Sequence, residues 1–398
     1  MDAVNEIIVW ILMIFMVLGA IDRAIGNRFG LGEQFEEGFM ALGPLALAMV
    51  GVVSLAPVLA KILEPVIVPL YTAVGADPSM FATTLLANDM GGYPLAQQLA
   101  IDPDAGLLAG LILGAMMGPT IVFTIPVALG IIEKQDRPFL AQGVLAGMIT
   151  IPLGVLAGGL VAGFDPAMVL ANLIPIVIAA VLIAIGLWKI PDKMTAGFLV
   201  FGKGLIAVIS IGLAIATFEF MTETAIMPEG WELASPMDGI EIVGFIGMML
   251  LGAFPAVYVI IKVAEKPLSV AGRLVGMNDV AAGGMVATLA NNIPMFQILK
   301  DMDSRGKVLN CAFAVSAAFT FGDHLGFTAA VERSMIFPMI VGKLVAGVSA
   351  VGVAWLFFRR RYPAVDGEAA AVAVPVDTTT TSPRQPDPEK PGTGDPVA

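Results

Sequence analysis

Cysteine and histidine are almost missing from this chain. Its 398 residues hold one of each, Cys311 and His324. A single thiol excludes an internal disulfide framework and a thiolate metal cluster. Cys311 lies inside an apolar run, as a buried small hydrophobe would. Charge is scarce as well: 14% of residues are charged, against about 25% in soluble globular domains. No basic face stands out, so nothing points to nucleic acid. No phosphate-binding Walker loop, no HExxH and no nucleophile elbow is present. The chain is therefore not read as an enzyme, and neither a cofactor nor a metal is expected. A cleavable signal is not expected either. Asp2 and Glu6 stand where such a signal carries Lys or Arg, and no A-x-A site follows.

What is abundant is apolar. Hydrophobic residues make up 58% of the chain, and the mean hydropathy is +0.89. Apolar runs recur from Val4 to Phe358, many near the ~20 residues a helix needs to cross ~30 Å of hydrocarbon. They lack the period-2 alternation of a barrel. Nine crossings are expected, at 4–21, 38–63, 106–132, 139–163, 168–188, 197–221, 239–262, 308–330 and 335–358. Two further stretches differ. Residues 79–100 hold Asn88-Asp89, Gly91-Gly92 and Pro94, and residues 280–299 hold Asn291-Asn292 and Pro294. Polar pairs beside helix breakers predict broken or re-entrant segments.

Lys and Arg mark cytoplasmic loops. With the N-terminus outside and the C-terminus inside, the basic connections fall on one side, from Arg23/Arg28 to Arg359–Arg361. That holds only if 79–100 enters and leaves from outside and 280–299 from inside. A repeat supports the scheme. Leu86-Ala87-Asn88-Asp89 matches Leu289-Ala290-Asn291-Asn292, and Gly118, Phe123 and Thr124 match Gly322, Phe327 and Thr328. The offset stays near 200 residues, and the halves run in opposite directions. The sequence thus predicts an all-α polytopic membrane protein. It has about nine transmembrane helices plus two broken, re-entrant segments in two inverted repeats. The divisions are an N-terminal helix at 1–22, a first repeat at 35–163, connecting helices at 164–221, a second repeat at 239–358 and a disordered cytoplasmic tail at 359–398.

Polar side chains inside hydrocarbon are costly and usually face a cavity or a partner. Asn88, Asp89, Tyr93, Thr124, Asn291, Asn292, Asp323, His324 and Phe327 are therefore the candidate solute-binding residues. Each has a bland alternative. Asn88 and Asn292 could only cap half-helices, Asp89 could pair with a lysine, and the threonines could bond their own helix. His324, beside Asp323, is the candidate for a pH-sensitive element.

Longer runs are recognisable. They include FEEGFMALG at 35–43, PSMFATTLLANDMGGY at 78–93, GAMMGPTIVFTIPVALGIIE at 114–133, GMVATLANNIPMF at 284–296 and GDHLGF at 322–327. Through them the chain resembles the EutH family, the ethanolamine permeases of bacterial ethanolamine-utilisation systems. The resemblance implies uptake of ethanolamine through the bacterial inner membrane by a secondary transporter or facilitator. The residues alone leave other readings open: an ion-coupled symporter for another small polar solute or an organic anion, and, remotely, a membrane enzyme on a lipid. A homo-oligomer is also left open.

Overall fold

The computed structural model describes residues 2–363. Among them every regular element is helical. Eight helices are long and apolar enough to cross a membrane: Ala3–Ala24, Leu31–Thr72, Pro103–Ile131, Lys134–Ala162, Pro166–Leu187, Ala196–Thr222, Pro236–Val263 and Arg333–Phe358. The chain is an all-α, multi-pass membrane protein. Burial sorts the helices into layers. The most apolar part of Pro103–Ile131 is 94% buried, that of Ala196–Thr222 only 11%. The first is the centre of the molecule, and the second turns its side chains to lipid. Leu42–Thr72 runs past the expected end at 63, carrying Pro57, Pro65 and Pro69 inside it. Neighbouring helices and local adjustment make interior proline tolerable in membrane helices.

Two expectations need correction. The stretch 308–330 is not one helix. It runs as Ser304–Ala317 and Asp323–Val331 with an irregular link between. The tail does not begin free at 359. Arg305 holds it, donating from Nε to the Tyr362 carbonyl at 2.9 Å and from Nη2 to the Arg359 carbonyl at 3.2 Å. The disorder expected of the rest of the tail concerns residues outside those described.

The two polar stretches are broken. The first consists of Ser79–Leu85, the turn Asn88–Met90, and Gly92–Leu99. Leu86 and Ala87 are extended, and Gly91 sits at φ 93°, where a Cβ would be strained. Its two ends meet. The Asp77 carboxylate accepts the N–H of Ser79 at 2.9 Å, and those of Ile101 and Asp102 at 3.0 and 2.9 Å. The second stretch breaks at extended Asn291, between Asp279–Ala290 and Asn292–Gln297. Its ends meet too. Asp303 accepts the Asn278 N–H at 2.8 Å, and Asn278 Nδ2 donates to the Asp301 carbonyl at 3.2 Å. Each segment is a hairpin whose entry and exit lie at one level.

Arg137–Ala162 and Ile336–Phe358 pack along one another in opposite directions. Thr150 Oγ1 donates to the Ala346 carbonyl at 3.0 Å. Gly154 faces Gly342, and Gly158 faces the Pro338 carbonyl. As the residue number rises on one helix, it falls on the other. A Cβ on Gly342 would lie 2.9 Å from the Gly154 oxygen. Bare glycine is what lets these backbones touch, in a solvent where close van der Waals packing drives helix association.

Candidate functional site

Both hairpin turns are seated on breaks in the central helices. Pro103–Ile131 opens into wide π-type turns at Leu108–Ile112 and Thr120–Thr124, with non-helical Met116 between them. Proline at 119 and 126 withholds two backbone donors there. Gly118 rests on the Leu86 carbonyl and the Ala87 amide, where any Cβ would collide. On the other side, Phe319 takes φ 63°. Its N–H reaches the Thr288 carbonyl at 3.1 Å, and the Phe321 N–H reaches that of Leu289 at 2.9 Å. Gly322 rests on the Ala290 carbonyl as Gly118 rests on Leu86. These contacts satisfy backbone groups that hydrocarbon would otherwise strand.

One polar cluster gathers where the turn Asn88–Met90 packs on Asp323–Val331. Tyr93 and Phe327, each four residues beyond an aspartate, meet edge to face with centroids 5.7 Å apart. Asp89 and Asp323 are half-buried. Neither has an ion-pair partner within 4.0 Å among the described residues. Asp89 and Glu37 both bear electrostatically on Asp323. Glu37 comes from the helix Leu31–Met40 and was not among the candidates. Asn88 is fully buried. Its Oδ1 accepts the Asp89 N–H at 2.9 Å, while its Nδ2 has no partner.

His324 does not pair with Asp323. Neighbours on a helix point about 100° apart, and the imidazole turns to Lys343. Nζ lies 2.9 Å from Nδ1 and also donates to the Ala115 carbonyl, whose α-helical donor position four residues on is Pro119, without an N–H. With the ammonium as donor, Nδ1 is the acceptor, and the ring proton sits on Nε2. Thr328, one turn on from His324, is buried with its hydroxyl unpartnered. Lys343 is not among the candidate residues read from the sequence. Its only signal was a lysine in the middle of an apolar run.

The remaining candidates form a second cluster. Asn292 Nδ2 donates to Thr124 Oγ1 at 3.0 Å, and its Oδ1 is unpartnered. Asn291 Oδ1 accepts the Ile293 N–H at 2.9 Å, as a helix cap does. Phe319 stands between the clusters, 5.5 Å from the Phe123 ring and 5.3 Å from His324. Among the described residues, no three His, Cys, Asp or Glu side chains converge as metal ligands would. A cleft of about 570 Å³ lined by Asn5, Trp10, Met249 and Arg333 lies on the flank under the first helix, away from both clusters.

Comparison with known proteins places this arrangement in a lineage. A profile described as "Ethanolamine utilisation protein, EutH" matches residues 4–357. The chain is 65% identical over 351 residues to the "Probable ethanolamine permease EutH" of Listeria monocytogenes serotype 1/2a (strain 10403S), covering 88% of this chain and 93% of the relative. It is 53% identical to the protein of that name from Escherichia coli (strain K12), covering 89% and 95%. It is also 53% identical to "Uncharacterized protein YxeR" of Bacillus subtilis (strain 168), with the same coverage. No solved structure matches.

Proposed function

The chain belongs to the EutH family of ethanolamine utilisation proteins, and from that premise we propose that it carries ethanolamine across a bacterial inner membrane. The observation that carries this reading is the pair of half-buried carboxylates, Asp89 and Asp323, without salt-bridge partners at the break of a membrane hairpin. Ethanolamine is a primary amine, protonated near neutral pH as a lysine amine is. A cation is what two such carboxylates lack. The rings of Tyr93 and Phe327 stand beside them, and an alkylammonium over an aromatic face gains further. The alcohol needs a hydrogen-bonding partner. Asn88 Nδ2 and Thr328 Oγ1 are buried and unused, although buried polar atoms are ordinarily bonded. An organic anion fits less well, since Lys343 is outnumbered by three carboxylates.

Two inverted repeats, 35–163 and 239–358, give such a site its means of alternating access. Their support is the antiparallel pairing of Arg137–Ala162 with Ile336–Phe358, two helices about 200 residues apart, the offset of the sequence repeat. Gly118 and Gly322 also share one role. The basic loops favour an outer N-terminus and an inner C-terminus. The chain is read as a carrier and not as an enzyme.

The test is uptake of labelled ethanolamine into proteoliposomes, with imposed pH and sodium gradients in turn. Saturable uptake that ethylamine competes for and acetate does not is the expected result. A rate no greater than in protein-free vesicles overturns the reading.

A further inference from the structure

Among the described residues two lysines are buried, and they differ in their company. Lys307 sits 2.6 Å from the Asp136 carboxylate. Lys343, 1% exposed, has only neutral partners, the Ala115 carbonyl and His324 Nδ1. An ammonium inside a membrane protein without an anion is costly. The carboxylate whose field reaches it is that of Asp89, beyond ion-pair distance. Its head group is nevertheless close to the Asp89 turn. Ala115, which accepts from Nζ, follows Gly114. A Cβ on Gly114 would lie 3.2 Å from Cβ of Asn88, the neighbour of Asp89. Nζ and the hairpin break thus both lie against the Gly114–Ala115 segment, and the flexible four-carbon stem of a lysine lets its head group move between neighbouring partners. The lysine head and the head of ethanolamine are the same chemical group, a primary alkylammonium.

We propose that Lys343 is a tethered competitor for the substrate: its ammonium pairs with Asp89 when no substrate ammonium is there, and retires to His324 and the Ala115 carbonyl when one is. This rests on the ethanolamine reading above. Asp89 then has a cation in both halves of the cycle. The protein can reorient without cargo, and transport is net uptake instead of obligatory exchange. A ligand-driven switch needs such a differential contact in its two states.

The experiment separates those two modes in proteoliposomes. Lys343→Met keeps length and removes the charge. The expected result is ethanolamine–ethanolamine exchange within about twofold of wild type and net uptake lowered at least about tenfold. Equilibrium binding of labelled ethanolamine to the purified variant tightens severalfold, because an occluding competitor lowers the competent fraction. Net uptake retained, both modes lost together, or binding no tighter overturns the proposal. If Lys343→Met does not fold, Asp89→Asn combined with Lys343→Met, which removes both charges, is expected to restore folded protein. Failure to do so also overturns it. Wild-type protein inert in both modes instead overturns the ethanolamine reading, and this inference with it.

Discussion

At the scale of single residues, the site is a problem of charge. Asp89→Asn keeps shape and removes the anion. A hydrogen bond to a charged group is worth about 1.5–3 kcal/mol, and about 1.4 kcal/mol is tenfold in affinity. Ethanolamine KM is expected to rise roughly ten- to a hundredfold by these figures, at equal membrane abundance measured by immunoblot. His324 carries a pH prediction whose sign follows from its partner. Protonation removes the Nδ1 lone pair that Lys343 uses and adds a second cation near an ammonium site. Uptake should therefore fall as the medium is acidified, while ethanolamine itself stays charged. His324→Gln should remove that acid fall; an unchanged profile would show that the ring is structural. Asp89, Asn88 and Asp323 were legible because a polar side chain inside an apolar run is conspicuous. The partner of His324 is Lys343 and not the neighbouring Asp323, because adjacency in sequence is not adjacency on a helix. Glu37 and Lys343 acquire meaning only from partners on other helices.

At the scale of elements, the two breaks depend on glycine where backbone lies against backbone. A Cβ on Gly118 would strike the Leu86 carbonyl, and one on Gly322 that of Ala290. Overpacking of this kind costs about 1–3 kcal/mol. Gly118→Ala and Gly322→Ala should lower the thermal unfolding temperature in detergent and depress uptake together. Gly130→Ala, with nothing within 4 Å of its Cβ position, should do neither. The first hairpin break could be read from Asn88-Asp89 and Gly91-Gly92, and the second from Asn291-Asn292. The interruption at 318–322 could not. No proline marks it, and it exists because Phe319 and Phe321 give their N–H groups to Thr288 and Leu289. A bond made across the fold leaves no local trace.

At the scale of the whole molecule, Asp136 and Lys307 tie the first half to the second at 2.6 Å, nearly out of solvent. Breaking one partner of a buried pair costs about 3–5 kcal/mol, whereas removing both is often close to neutral. Asp136→Asn should destabilise the purified protein strongly, and adding Lys307→Met should restore most of the loss in a thermal melt. The orientation has its own test. In a Cys311→Ser background, an impermeant maleimide applied outside should label Asp165→Cys and spare Lys134→Cys. The opposite pattern would invert the topology.

The sequence alone determined that this is a multi-pass helical membrane protein. Apolar length is a one-dimensional property, and hydrocarbon admits few ways to satisfy a backbone. It also marked where two segments break, because the breakers lie beside the breaks. Only tertiary structure decided that Asp77 closes one hairpin and Asp303 the other. It also decided that 308–330 is two helices and that the polar residues divide into two clusters about Phe319. Above all, it gave His324 a lysine for a partner. These features arise where separate segments of the chain meet, and the energy that selects them belongs to the contact and not to either segment.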